Sequence, residues 1–225
     1  MSKPKYPKTS EERAKVYLHC MAEIKERLRV IEKVSGEEIQ ILFAKEICYL
    51  ELRFICELIS IACLTAQGDF KTQRAFTEEY SPPKIFAALK EIYPQFFPKD
   101  AEVISQPGRH HVESGHKPDA YGESDIVSLW HQAGSHLHRA SVNHYLKKTF
   151  KNPPDLSSIA THVLGIVRLL ESHILPIQTN LRYPLMLLVH LEDGEGGIEA
   201  NFLHLDQEKG TIWFESYKSQ LVERR

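Results

Sequence analysis

Between Ile39 and Ala66 the chain is apolar on nearly every side of a helical wheel, apart from one narrow charged stripe. Glu46, Arg53 and Glu57 are spaced by seven and four residues, so at 3.6 residues per turn they stack almost in line. Phe43, Ile47, Leu50, Leu52, Phe54, Ile55, Leu58, Ile59, Ile61 and Leu64 cover the rest of the circumference. A helix that is hydrophobic all round is normally buried, and charges inside it are costly unless paired or hydrogen-bonded. One reading makes the stripe a supporting polar core. Arg53 and Glu57 then form an i,i+4 pair, Glu46 meets a cation on a neighbouring helix, and the group fixes helix register. The other reading has it position a catalytic or ligand-binding group at the mouth of a bundle. If the stripe is buried, Arg53→Met strands two carboxylates and destabilises by on the order of 3 kcal/mol. If it is exposed, the loss falls below about 1 kcal/mol.

The same charges exclude a membrane span, because Glu51, Arg53 and Glu57 would lie near its centre. Met1 to Lys8 is polar and holds two prolines, with no apolar signal-peptide core. The expectation is a cytoplasmic protein without a membrane partner. Its formal net charge of −2 provides no global basic footprint for non-specific nucleic-acid binding, although a local RNA site stays open. The four cysteines, Cys20, Cys48, Cys56 and Cys63, form no C-x-x-C pair and fall on helical segments. They read as small buried hydrophobes.

Thr9 and Glu12 have capping-box spacing, and Tyr17, Met21, Ile24, Leu28 and Ile31 give an amphipathic face, so a first helix is expected over Ser10–Val34. Ser35 and Glu38 offer a second capping box before the central helix, which should end near Gln67 with Gly68 as its cap. A short helix is expected over Lys71–Tyr80, and Pro82-Pro83 opens another covering Ile85, Phe86, Leu89 and Ile92. Residues 98–122 read as a loop-rich insertion, with a small hairpin pairing Val103–Ile104 and His111–Val112 across Pro107-Gly108. Helix resumes near Ser124, with Ile126, Leu129, Trp130, Ala133 and Leu137 inward. After the break at Asn152–Asp155, a last helix buries Ile159 through Ile174 and ends at Pro176. Beyond Pro184 the period changes. Leu185–Leu191, Ile198–Leu205 and Thr211–Tyr217 read as a three-stranded antiparallel meander. The fold class is mainly α: an antiparallel helical bundle over 1–180 carrying a small C-terminal antiparallel β meander over 181–225.

The densest histidine group is His131, His136, His138 and His144. No H-E-x-x-H and no structural zinc spacing is present, so neither a metal nor another cofactor is expected. Within this group the stretch L-H-R-A-S-V-N-H places Arg139 five residues before His144, after a tryptophan-bearing helix. This segment resembles the HEPN superfamily of helical bundles, whose ribonuclease members carry an arginine followed after four to six residues by a histidine. The resemblance implies a dimer that cuts RNA without metal. His144 would be the general acid/base, and Arg139 would stabilise charge on the scissile phosphate. On one unbroken helix a five-residue offset separates the two side chains by about 140°, so a shared site requires a helix break or a second subunit. The residue after Arg139 is alanine, where that family often has a polar one.

No G-x-S-x-G elbow frames Ser135, and the glycines near Gly194 precede no helix that could cradle phosphate. Two function classes remain. In the first, the chain is a non-catalytic interaction or regulatory module that binds itself or a protein partner through a bundle face or a meander edge. In the second, it is a HEPN-like metal-independent endoribonuclease or RNA-processing protein using Arg139 and His144, supported by Glu46, Arg53 and Glu57.

Overall fold

The computed structural model describes residues 9–36, 43–67, 79–106, 109–115, 117–137, 156–177, 185–191, 197–206 and 211–219. Helix α1 (Ser10–Gly36) opens on the expected capping box. Thr9 N–H donates to Glu12 Oε2 at 3.1 Å, and Glu12 N–H donates to Thr9 Oγ1 at 3.1 Å. These reciprocal bonds satisfy two amides that a helix start leaves without intrahelical partners. The buried face of α1 carries Tyr17, Met21, Ile24 and Ile31, and α2 (Ala44–Gln67) lies along it.

α2 is the hub of the bundle. It touches α1, then α3 (Pro82–Ile92), α4 (Glu123–Leu137) and α5 (Ser157–Leu170). α3 begins with Pro82 and Pro83, whose missing N–H groups fall where no intrahelical partner exists. Behind it, the Phe86, Phe96 and Phe97 rings meet with centroids 5.4, 5.5 and 6.1 Å apart. α4 is capped by Asp125, whose Oδ2 accepts Gly122 N–H at 2.8 Å. All four cysteines are buried and reduced.

α2 is not buried on every side. Its neighbours cover one broad flank, whereas Leu50 faces solvent, as does Phe43 just before the helix at 59% exposure. The apolar circumference therefore overstated the burial of the charged stripe, which lies on the flank of the contact with α4.

Among the described residues six strands form one antiparallel sheet in the order β2-β1-β3-β4-β5-β6. β1 (Lys99–Gln106) and β2 (Arg109–Ser114) form a hairpin at the expected place, with Val103 opposite Val112 and Ile104 opposite His111, but it is longer than expected and joins the main sheet, so this stretch is not the loop-rich insertion its composition suggested. β4 (Leu185–Leu191), β5 (Ile198–Asp206) and β6 (Thr211–Ser219) form the meander. The fold class is as expected, a helical bundle with an antiparallel sheet on its C-terminal side.

Between hairpin and meander lies β3 (Ser172–Ile177), a segment that helical periodicity assigned to the end of the last helix. Helix α5 in fact stops at Leu170. β3 pairs with β4 from Ser172↔His190 to Ile177↔Leu185, and with β1 at Lys99↔Ile174 and Asp100↔His173. The run His173-Ile174-Leu175-Pro176-Ile177 fits either period, so the sequence pattern could not decide, and long-range pairing does. Pro176 lies past the two positions paired with β1, so its missing N–H breaks no bond to that strand. Its carbonyl instead accepts Gln67 Nε2 at 3.0 Å.

The Gly68 cap, residues 71–78 of the short helix, Glu38 of the second capping box, the Pro107-Gly108 turn and the 152–155 break lie outside the described residues.

Candidate functional site

Three features could carry function. The first is the charged stripe. Arg53 Nε lies 3.3 Å from Glu57 Oε1, with the two side chains 23% and 15% exposed. Trp130 Nε1 donates to the same Glu57 oxygen at 2.9 Å, and the Arg53 guanidinium lies over the Trp130 ring at 4.3 Å. A Cβ added at Gly134 would come within 2.7 Å of Arg53 Nη1, so the bare α4 backbone makes room for the guanidinium. Arg53 and Glu57 thus form the expected pair, joined by Trp130 from α4. Glu46 stands apart from them, within electrostatic reach of His136 on α4. This is the geometry of an interhelical clamp.

The second feature is a ring cluster among α2, α4, α5 and the segment before α4. Tyr49 is buried, and the His136 ring stacks on it at 4.0 Å and 13°. The Tyr49 hydroxyl accepts Gln132 Nε2 at 3.2 Å and lies 3.2 Å from Ser158 Oγ. On the other side, His162 meets Tyr49 edge-on, with centroids 6.4 Å apart. The Tyr121 hydroxyl is 2.6 Å from His162 Nδ1, while His162 Nε2 is buried without a hydrogen-bond partner.

Both histidines are held below the ordinary imidazole range. For His136 the cause is burial, reinforced by Lys45 and opposed by Glu46. For His162 it is burial, then the neighbouring His136. Both rings therefore favour the neutral form near pH 7. Among the described residues no group of three or more His, Cys, Asp or Glu side chains could hold a metal.

The third feature is a groove of about 660 Å³ framed by α1 and α5. Ile24, Leu28 and Ile31 line one wall, Ile159, Val163 and Val167 the other, and Leu170 and Leu191 close one end. Lys25, Arg29, Glu32, Ser35 and Glu171 supply its polar groups. The two framing helices also carry exposed large hydrophobic side chains, Val30 at 39% and Leu164 at 47%. Sequence patterning could not reveal the groove. Each wall reads as an ordinary amphipathic face, and only the packing shows that the faces do not close on one another.

Arg139 and His144 lie outside the described residues, which end α4 at Leu137. No helix among the described residues is long and apolar enough to cross a membrane. Comparison with protein families, curated proteins and solved structures finds no match for this chain.

Proposed function

We propose that this chain is a protein-interaction module whose α1–α5 groove receives an amphipathic helix from a partner protein. The observation that carries the reading is the groove itself, about 660 Å³ of mainly apolar surface that the bundle leaves unfilled. Its α1 wall runs from Ile24 to Ser35, about 17 Å at 1.5 Å per residue, which is three turns of a partner helix. A helix in a groove buries its apolar stripe at i, i+3, i+4 and i+7. The polar groups suit that occupant better than a small polar ligand. Lys25, Arg29 and Glu32 follow one another at spacings of four and three along one wall, a charged rim beside an apolar floor rather than a convergent polar set. The rim is of mixed sign, with Lys25 and Arg29 balanced by Glu32 and Glu171 and Arg29 paired with Glu26, so the partner's flank should carry charges of both signs.

The test is fluorescence anisotropy with a labelled 14-residue amphipathic helix, leucines on one face and lysines and glutamates on the other, against a scrambled control. Saturable binding to wild type and its loss in Ala160→Arg, a substitution on an exposed wall position, is the expected result. Absence of saturable binding overturns the reading, and binding indifferent to Ala160→Arg places it on another surface.

One observation favours a second reading. The end of α4 places His136, near His162 and Glu46, three residues before Arg139 in the chain. Neutral imidazoles suit general acid/base chemistry near pH 7. The second reading is a metal-independent, HEPN-like endoribonuclease in which His144 moves the proton and Arg139 stabilises the phosphate. RNA cleavage that survives EDTA and disappears in His144→Ala would make it the leading one. The same preparation in light scattering would report whether the protein self-associates.

A further inference from the structure

We propose that the outer face of α2 is a self-association seam, on which α2 of a second copy of this chain docks antiparallel. A helix whose inner side is buried in a bundle normally presents its most polar residues to solvent. On α2 the reverse holds. Phe43, Ile47, Leu50 and Phe54 follow one another at spacings of four, three and four, so they form one straight stripe. Phe43 belongs to it because its carbonyl accepts Ile47 N–H at 2.9 Å, which makes it the N-cap residue. Leu52, Ile55 and Ile59 form the opposite, buried side. None of the four stripe residues is buried, and Phe43 and Leu50 are 59% and 38% exposed. Single exposed hydrophobic side chains are ordinary, whereas a contiguous row of them marks an interaction surface.

Charge complementarity selects the occupant. The spacing is that of a heptad seam, with Ile47 and Phe54 at a and Phe43 and Leu50 at d. In an antiparallel pair each a residue layers against a d residue of the other helix. One alignment engages all four, setting Ile47 against Leu50 of the partner subunit and Phe54 against Phe43 of the partner subunit. The two-fold axis makes each layer twice. The same alignment brings Glu46, at g, beside Arg53 of the partner subunit, also twice. Both are available for it. Among the described residues Arg53 offers only Nε to Glu57, at 3.3 Å, and Glu46 has an electrostatic link to His136 but no ion pair. A parallel alignment would instead set Glu46 at g against Glu51 of the partner subunit at e, a repulsive pair.

The flanks of the seam are already fixed in the protomer. On one side Arg27 of α1 lies over the Phe54 ring at 4.5 Å and pairs with Glu51 at 2.7 Å. On the other, Trp130 of α4 holds the Arg53 guanidinium. Docking therefore orders few side chains that are free beforehand. The seam ends at Phe54, because the next d residue, Glu57, is bonded to Trp130, and Leu58 and Ile61 pack against the core. From Phe43 to Phe54 it is about 17 Å long at 1.5 Å per residue. That is short for the roughly 800 Å² a side of a standard interface, so a micromolar dimer is expected. No stripe residue lines the α1–α5 groove, and this inference stands independently of whether the groove binds a helix.

The test is sedimentation velocity of the full chain from about 1 to about 200 μM, with circular dichroism to confirm that each variant is folded. Wild type should pass from monomer to dimer within that range. Leu50→Glu, which the two-fold axis introduces twice into the centre of the seam, should weaken the dimer by about 100-fold or more. Glu46→Arg sets arginine against Arg53 of the partner subunit and should weaken it by about tenfold. Should Leu50→Glu fail to fold, Phe43→Ser takes its place, since it removes an exposed ring and supplies a favourable N-cap. Wild type that stays monomeric at the highest concentration overturns the proposal. So does a dimer that survives the loss of Leu50 or Phe43, and one that Glu46→Arg leaves unchanged.

Discussion

Two polar seams built from different residue types respond oppositely to the loss of a partner. Between α2 and α4, Arg53, Glu57 and Trp130 form a clamp that solvent reaches. Beside α5, Tyr17 of α1 with His173 of β3, and Tyr121 before α4 with His162 of α5, form contacts that are fully and partly enclosed. The first seam is charged yet has inexpensive alternatives, since water can replace a lost partner. The second is neutral and has none at His173. The comparison teaches that the value of a polar contact here follows its burial more than its formal charge.

The sharpest way to break that comparison is acid. His173 has a folded pKa of about 4, against an ordinary imidazole value of 6.5. Below 6.5 the unfolded chain therefore binds a proton that the folded chain refuses. The stability linked to this ring is fully present above pH 6.5 and is lost as pH falls toward 4. The slope is about 1.4 kcal/mol per unit and the total about 3 kcal/mol. Urea denaturation of wild type and His173→Gln at pH 7 and pH 5 measures it. The wild type should lose markedly more stability than the variant over that interval, and equal losses would assign the acid sensitivity to carboxylates.

Gly165→Ala comes next. A Cβ there would lie 2.1 Å from Tyr121 Cδ1 and 2.2 Å from Cε1. That ring has little freedom to retreat, because Tyr121 N–H donates to the Gly165 carbonyl at 3.1 Å and its hydroxyl meets His162. The alanine should destabilise by about 2–3 kcal/mol despite its better helix propensity. Thermal unfolding would show it, and a neutral result would mean that the Tyr121 contact adjusts freely.

Arg53→Met tests the open seam. Were the stripe enclosed by an apolar helix, the loss would be on the order of 3 kcal/mol. With the pair partly open and Glu57 still accepting Trp130 N–H, the expected loss is about 1 kcal/mol, most of it the cation–π contact. Chemical denaturation distinguishes the two values. A loss near 3 kcal/mol would place the clamp in the same class as His173.

What the sequence made legible follows the same division between local and distant. The Thr9–Glu12 box, the Pro82-Pro83 helix start and the strands from Leu185, Ile198 and Thr211 are set by residues within a few positions of one another, and all could be read directly. β3 could not, because Ser172–Ile177 satisfies both helical and strand periods until β1 and β4 are in place. Tyr17 and His173 are 156 positions apart, and no spacing rule links them. His162 gave no signal beyond one more histidine on an amphipathic helix, while the histidine-dense segment drew attention to His136, which does stack on Tyr49. The groove is a property of how α1 and α5 fail to close, so composition is silent on it. The charged stripe was visible, but the contacts by which Trp130 on α4 joins Arg53 and Glu57 were not.

The smallest effect gives the closest control on the comparison, because it uses the same substitution as the second prediction. Gly134→Ala also introduces a close contact, 2.7 Å from Arg53 Nη1. Here the obstructing atom is the far end of a long, flexible side chain on a seam open to solvent, and a small rotation of the guanidinium relieves it. Alanine gains about 0.5–1 kcal/mol of helix propensity over glycine, against a partial loss of the Arg53–Trp130 contact of similar size. The net change should lie within about 0.5 kcal/mol of zero, measured beside Gly165→Ala in the same denaturation series. A large loss at Gly134 would mean that Arg53 cannot move, and that the α2–α4 seam is as closed as the one around α5.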